Sequence, residues 1–193
     1  MRRDLIEIDA VKDPFKRIII AFNVGFDEAT AKEAKDKSLT IIQNNVIYRL
    51  IEDYDNFVKQ QKEKIKLQKL DTITLPAIIK LLPGHVFHAS NPAIVGVEVL
   101  EGTIKSGYKL QKDGREIGEI KAVQSENVSI EKASRGERVA VSIEGPTVGR
   151  QVKEGDELET VVSKDDVKIL EELNMKEEVE LARKILSKNL ESQ

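Results

Sequence analysis

The stretch from residue 95 to residue 99 reads VGVEV, with a valine at every second position. This alternation is typical of a β-strand that turns one face toward a core and the other toward solvent. Residues 139–143, VAVSI, repeat the pattern, and glycine-containing turns separate such segments at short intervals. Many short strands at close spacing favour a sheet that closes on itself. We therefore predict a small antiparallel β-barrel over residues 76–162.

One hairpin of this barrel is indicated by its turn. The sequence Lys112-Asp113-Gly114-Arg115 separates two segments that contain apolar residues. Asp-Gly is a strong signal for a two-residue turn, because both positions of such a turn need a positive φ. We expect Lys112 and Arg115 to lie at the ends of the two strands that this turn joins.

Residues 1–57 show a different pattern. The apolar run at 18–22, IIIAF, predicts a buried strand, residues 27–37 favour a helix, and residues 38–42, SLTII, predict a second strand. This order implies a parallel pair of strands with a right-handed crossover. A stable parallel sheet needs more strands and cover on both faces. We therefore expect residues 1–57 to be a truncated part of an α/β domain.

Residues 44–71 predict one long helix that connects this domain to the barrel. Apolar residues recur at intervals of three and four as far as Val58, which gives the helix one apolar stripe. From Lys59 to Lys69 lysine dominates, as in a solvated spacer between domains. These lysines could also contact a phosphate backbone, although a solvated surface is the simpler interpretation.

Residues 163–193 predict a C-terminal extension of two short helices. Ser163 is placed to cap the first helix, and Asn174 is placed to end it. The complete prediction is an α+β multidomain chain. It consists of a truncated α/β domain, a long connecting helix, a small antiparallel β-barrel and two C-terminal helices.

Several kinds of chemistry are disfavoured by the sequence. The chain has no cysteine, a net charge of −3 and no glycine-rich motif ahead of Lys-Ser or Lys-Thr that could bind a nucleotide phosphate. His85 and His88, the only histidines, are three apart in a predicted strand and so face opposite sides. We therefore predict no catalytic site and no metal site. No apolar run is long enough for a membrane span, and the lack of cysteine suits the reducing cytoplasm.

Two long stretches resemble a known family. Residues 80–99, KLLPGHVFHASNPAIVGVEV, look like the opening of the last barrel of the translation initiation factor 5B family, the archaeal and eukaryotic counterpart of bacterial initiation factor 2. Residues 147–156, TVGRQVKEGD, resemble the closing segment of that barrel. Residues 21–24, AFNV, and 45–54, NVIYRLIEDY, are similar to the family's third domain and to the start of its connecting helix. The resemblance covers nearly the whole chain.

The resemblance implies a C-terminal fragment of such a factor, spanning part of the third domain, the connecting helix and the last barrel. GTP and Mg²⁺ would bind only in an upstream domain, so no cofactor is expected in this chain. The implied partners are initiator methionyl-tRNA, initiation factor 1A and the ribosome, whose subunits the family helps to join. We expect a monomer with no membrane contact.

The resemblance also implies two binding sites. The methionylated acceptor end of the tRNA would meet the barrel at Phe87, Asn91, Gly96, Val97, Lys112 and Arg115. Bacterial relatives often carry cysteine where this chain has Val97. An apolar pocket would suit the flexible thioether of methionine.

Initiation factor 1A would dock on the second C-terminal helix, in an apolar groove with basic neighbours. The residues implied are Leu181, Arg183, Lys184, Ile185, Lys188 and Leu190. Two alternatives stay open. The helices could only cover the barrel, or the chain could be a module of a translation GTPase that binds protein and makes no contact with tRNA.

Overall fold

The chain divides after Gln68 into two units, Met1–Gln68 and Lys69–Gln193, and the computed structural model describes residues 7–191 of it. The architecture confirms the predicted fold class, with strands and a helix first, then a long helix, a closed barrel and two helices. Within the described range, no helix combines the length and the apolar character that crossing a membrane requires.

The first unit contains a parallel pair of strands, β1 (Ile18–Phe22) and β2 (Thr40–Asn44), joined by helix α1 (Glu28–Asp36). Asp27 caps α1 as expected, because its carboxylate accepts a hydrogen bond from the backbone N–H of Thr30 at 2.7 Å. On the sheet, Ile20 and Phe22 are about half exposed, at 48% and 49%. Larger α/β folds cover that kind of face with further elements.

The long helix α2 (Ile47–Asp71) begins three residues later than the sequence predicts. Asn44 is still the last residue of β2, and its side-chain oxygen accepts a hydrogen bond from the backbone N–H of Val46. The carbonyl of Val46 then accepts the first helical hydrogen bond, from Leu50. Leu50 and Phe57 are buried in the first unit, and no residue of α2 beyond Val58 is fully buried.

The second unit is built on a barrel of six antiparallel strands. They are β3 (Ala77–His88), β4 (Ala93–Lys105), β5 (Lys109–Lys112), β6 (Arg115–Ser125), β9 (Arg138–Glu144) and β10 (Glu157–Thr160). The order around the barrel is β3-β10-β5-β6-β9-β4, and β4 closes it by pairing with β3. Two short strands, β7 (Val128–Ile130) and β8 (Lys132–Ser134), pair with β6 and β4.

The alternating residues of the sequence fill the barrel core. Val95, Val97 and Val99 point inward from β4, and Val141 and Ile143 do so from the neighbouring β9. The predicted hairpin between β5 and β6 is present, with positive φ at both turn positions, Asp113 and Gly114.

Helices α3 (Lys164–Glu172) and α4 (Lys176–Glu191) form a second core against the outside of the barrel. Ser163 and Asp166 make a reciprocal cap at the start of α3, and Asn174 takes a positive φ after its end. The fully buried members of this core are Leu170, Ala182 and Ile185. The two helices therefore cover a face of the barrel as well as each other.

Two glycines with similar positive φ allow the cost of steric overlap to be separated from the cost of backbone strain. Gly102 and Gly107 have φ of 77° and 88°. A Cβ on Gly102 would lie 1.9 Å from the carbonyl oxygen of Pro76, whereas a Cβ on Gly107 would meet nothing within 4 Å. Gly107→Ala should cost about 1–2 kcal/mol for the left-handed conformation alone. Gly102→Ala should cost more than about 4 kcal/mol, because backbone must move. Urea unfolding measures both, and equal losses would contradict the packing at Gly102.

Candidate binding sites

A surface cavity of about 340 Å³ lies where β3, β4, β6 and β9 run side by side. Phe87, on β3, is one of its walls and is 66% exposed, an unusual state for a phenylalanine. Its ring meets the ring of His85 edge to face, with 6.4 Å between the ring centres. The cavity therefore presents an aromatic surface to solvent.

Two small residues on neighbouring strands, Gly96 on β4 and Ala140 on β9, line the floor of this cavity. Ala140 also pairs with Gln124 on β6, on its other side. A Cβ on Gly96 would lie only 2.7 Å from the Cβ of His85. Glycine at this position thus allows β3 to approach closely and leaves room beside Phe87.

Polar groups surround the aromatic wall. Arg138, at the start of β9, has a side chain that is 70% exposed and bonds to Glu98, with Nη2 3.1 Å from Oε2. Glu126 and Asn127 form the two-residue turn between β6 and β7, and both have positive φ. This turn brings Asn127 and Glu126 to the rim, next to Gln124.

The sequence prediction did not include these polar residues. Gln124, Asn127 and Arg138 come from segments far from Phe87 along the chain, and only the strand order brings them together. The pair Glu126-Asn127 gave a local signal for a turn, since asparagine readily adopts a positive φ there.

Two of the predicted tRNA-contacting residues lie away from the cavity lining. Val97 follows Gly96 in the strand, so its side chain points to the opposite face, where it is fully buried in the barrel core. Asn91 is exposed at the turn between β3 and β4, ahead of a cis peptide bond to Pro92. Phe87 and Gly96 are the predicted residues that the structure brings together here.

The basic hairpin is also separate from the cavity. Arg115 begins β6, whereas Gln124 lies near its end, roughly 30 Å away along an extended strand. Lys112 is half-buried and bonds to Asp156, with 2.5 Å between Nζ and Oδ2. Burial of Asp156 opposes ionisation, but the hydrogen bonds from Lys112 and from the backbone N–H of Lys153, together with the positive charges of both lysines, outweigh it and lower the pKa of the carboxyl. The resemblance implied one tRNA site that includes Phe87, Lys112 and Arg115, and the structure corrects this, because the two basic residues lie away from the Phe87 cavity.

A second candidate surface lies at the turn between α3 and α4. A cavity of about 240 Å³ has Met175 and Val179 as its apolar part. Its charged lining has both signs, with Lys176 and Arg183 beside Glu171 and Glu180. A larger cavity of about 570 Å³ lies between α4 and the barrel, and it includes Leu181 and Lys184. Four glutamates line that larger cavity, namely Glu101, Glu177, Glu178 and Glu180.

The apolar residues predicted to line a docking groove are mostly occupied by packing. Ile185 is fully buried and Leu181 is 8% exposed, because α4 lies against α3 on one side and the barrel on another. A groove lined by Ile185 is therefore not present. Leu190 lies outside the side chains that the structure describes.

The three predicted cations of α4 all form ion pairs within the second unit. Arg183 pairs with Glu171 at 2.6 Å, and Lys184 with Glu101 at 2.9 Å. Lys188 pairs with Glu159 at 2.7 Å.

Glu159 differs from the other two acids because it is buried, with 4% exposure. Its second oxygen accepts a hydrogen bond from Gln111, whose amide also bonds to Asn189 of α4. The hydrogen bond to Glu159 raises the pKa of Lys188. Lys188 therefore serves to hold α4 on the barrel.

The described residues contain no cluster of side chains that could bind a metal ion. Across residues 7–191, no three histidine, cysteine, aspartate or glutamate side chains come together in a way that could hold a metal ion.

Comparison with known proteins identifies the class of the barrel. Residues 75–159 match the family model described as elongation factor Tu domain 4, and residues 3–55 match the model described as translation-initiation factor 2. The fold and these two matches define a translation factor.

Individual relatives define the family more narrowly. A probable translation initiation factor IF-2 from Natronomonas pharaonis is 41% identical over 98% of this chain and 31% of its own length. Another, from Thermococcus sibiricus, is 43% identical over 89% of this chain and 30% of its own length. The crystal structure of GDP-bound aIF5B from Aeropyrum pernix aligns with a TM-score of 0.67 and 38% identity, over 99% of this chain and 33% of that one.

The chain belongs to the translation initiation factor IF-2 family and is similar to its archaeal member aIF5B. It spans about a third of the length of these relatives. The resemblance found in the sequence is thereby confirmed.

The ion pairs of α4 yield a stability test. Lys188→Met would leave the buried Glu159 with an unpaired charge, and we expect a loss of about 1–3 kcal/mol in the free energy of unfolding. Lys184→Met removes the same kind of charge from an exposed pair and should cost at most about 1 kcal/mol. Urea unfolding of both variants makes the comparison. A Lys184 variant as unstable as the Lys188 variant would argue against a special role for Glu159.

Proposed function

We propose that this chain is the part of a translation initiation factor that binds the methionylated acceptor end of initiator tRNA, at the Phe87 cavity. Family membership supports a role in translation initiation. The observation that carries the tRNA contact is the exposed ring of Phe87 among hydrogen-bonding groups. Sequence-tolerant binding of RNA ends commonly combines stacking of unpaired bases on aromatic rings with such polar contacts.

The chemistry of the cavity suits a short RNA end with an attached amino acid. Arg138, Gln124 and Asn127 offer donors to phosphates and base edges. Leu82 and Ala140 offer apolar contact, which the thioether of methionine can fill. A net charge of −3 also favours local contacts over binding along an extended phosphate backbone.

The tRNA proposal is tested by removing the ring. Phe87→Ala should weaken binding of methionyl initiator tRNA by about 1–3 kcal/mol, the range for loss of one base-stacking contact. Fluorescence anisotropy with labelled charged and uncharged tRNA measures the affinity and the preference for the methionylated end.

The matched control for this variant is Phe22→Ala, which removes a half-exposed phenylalanine from the other unit. It should leave the affinity unchanged. Equal affinities of the wild type and the Phe87 variant for charged tRNA would rule out the cavity as the binding site.

A second binding function is supported by the cavity at the α3–α4 turn. We propose that initiation factor 1A docks there through an acidic and apolar tail during joining of the ribosomal subunits. Met175 would receive an apolar side chain of the tail, and Lys176 and Arg183 would meet its acids. Arg183 would leave its exposed partner Glu171 at little cost.

The docking proposal predicts a local charge effect. Lys176→Ala with Arg183→Ala should weaken binding of initiation factor 1A by about 1–3 kcal/mol, as expected for lost charged hydrogen bonds. Isothermal titration with the complete partner measures this. Lys164→Ala, an exposed lysine at the other end of α3, is the control and should have no effect. If the double variant bound the partner normally, the helices would act only as a cover for the barrel.

The alternative of a protein-only module differs from the main proposal in its tRNA outcome alone. It predicts that neither the wild type nor the Phe87 variant binds the methionylated tRNA end, while the α4 variant still loses partner binding. On the main proposal the region acts as a monomer in the cytoplasm, by binding and not by catalysis. GTP and Mg²⁺ would bind in parts of the relatives that this chain does not span.

A further inference from the structure

One segment of α2 has a charge that differs from the rest of the chain. Residues 59–69 contain five lysines and one acid, Glu63, whereas acids outnumber lysine and arginine by 34 to 31 in the whole chain. Positive charge is thus concentrated on a short piece of helix.

Three of these lysines lie on one face of the first unit. Lys59, Lys62 and Lys66 are spaced by three and four residues, so they fall within about 60° of the helix circumference. Their positions extend over about 10 Å along the helix axis. The buried residues Leu50 and Phe57 lie on the opposite side, so the three lysines occupy the solvent face.

These three ammonium groups have no acidic partner within the part of the chain that the structure describes. The side chains of Lys59, Lys62 and Lys66 form no ion pair or hydrogen bond there, whereas several lysines of the barrel and of α4 are paired with acids. Lys59 and Lys62 are exposed, and Lys66 is partly exposed. An incoming anion would therefore not have to displace a carboxylate.

We propose that Lys59, Lys62 and Lys66, the lysine face, bind the phosphate backbone of an RNA duplex. Lysine acts as a point charge that suits phosphates and carries no sequence information. A protein partner is a poorer fit, because protein interfaces are depleted in lysine and depend on buried aromatic or apolar anchors. None of the three positions supplies such an anchor. This contact is independent of the Phe87 cavity, which would hold an unpaired end.

The test measures salt dependence with the full chain and a short fluorescein-labelled RNA duplex. Each phosphate contact contributes about 0.7–0.9 to the slope of log affinity against log salt. Lys59→Gln, Lys62→Gln and Lys66→Gln together should lower that slope by about 2–3. Between about 50 and 200 mM salt, wild-type affinity should then fall roughly 20- to 60-fold more than that of the variant.

Two further variants give this experiment its controls. Lys12→Gln, Lys32→Gln and Lys35→Gln make the same charge change on exposed positions elsewhere in the first unit, and should leave the slope within about one of wild type. Replacing the lysine face with three arginines keeps the charge and should keep binding.

Three results would overturn the proposal. They are equal losses in the two glutamine variants, unchanged binding after loss of the lysine face, and failure of the arginine variant, with circular dichroism verifying the helix in each case. Tight binding of polyglutamate but not of RNA by the wild type would instead identify an acidic protein surface as the partner. Phe87→Ala should retain duplex binding, so failure of the cavity proposal and failure of this one can be told apart.

Discussion

The double pairing of β4 is the constraint on which most of the second unit depends. This strand pairs with β3 on one side and β9 on the other, and so closes the barrel. Because side chains alternate along a strand, placing Val95 and Val97 in the core forces Gly96 and Glu98 outward. Gly96 then becomes the cavity floor, and Glu98 holds Arg138 at the rim. One pairing register therefore fixes both the core and the surface beside it.

The C-terminal helices depend on a different device. Their apolar residues form a core with the outside of the barrel. Glu159 adds a buried carboxylate near the C-terminal end of α4. Apolar contact alone specifies position weakly, since hydrophobic burial is non-directional. The bond from Lys188 to Glu159 and the bond from Gln111 to Asn189 need one particular placement of α4, so they can set its register against β10 and β5.

Local signals in the sequence were sufficient for much of the fold. The alternation in β4 and β9, the Asp113-Gly114 turn and the Ser163 cap each act between residues close in the chain, and each was predicted correctly. The candidate site could be predicted only in part, for two physical reasons. Arg138 and Phe87 line the same cavity because of the strand order, which no local pattern contains. The second reason concerns Ile185. The broad apolar stripe of α4 did not show that α3 and the barrel would both pack against this helix and bury Ile185.

The ion pairs also determine which basic side chains could leave their carboxylate partner and bind a phosphate instead. Arg138 and Glu98 form a pair whose side chains are 70% and 30% exposed, so water can solvate the carboxylate when the pair opens. Lys188 cannot exchange in the same way, because its departure would leave the buried Glu159 charged and poorly solvated. The burial of the acid, more than the position of the base, therefore separates cations that can serve binding from those that serve the fold. By this criterion the Phe87 cavity keeps an available cation, while Lys188 of α4 belongs to the structure.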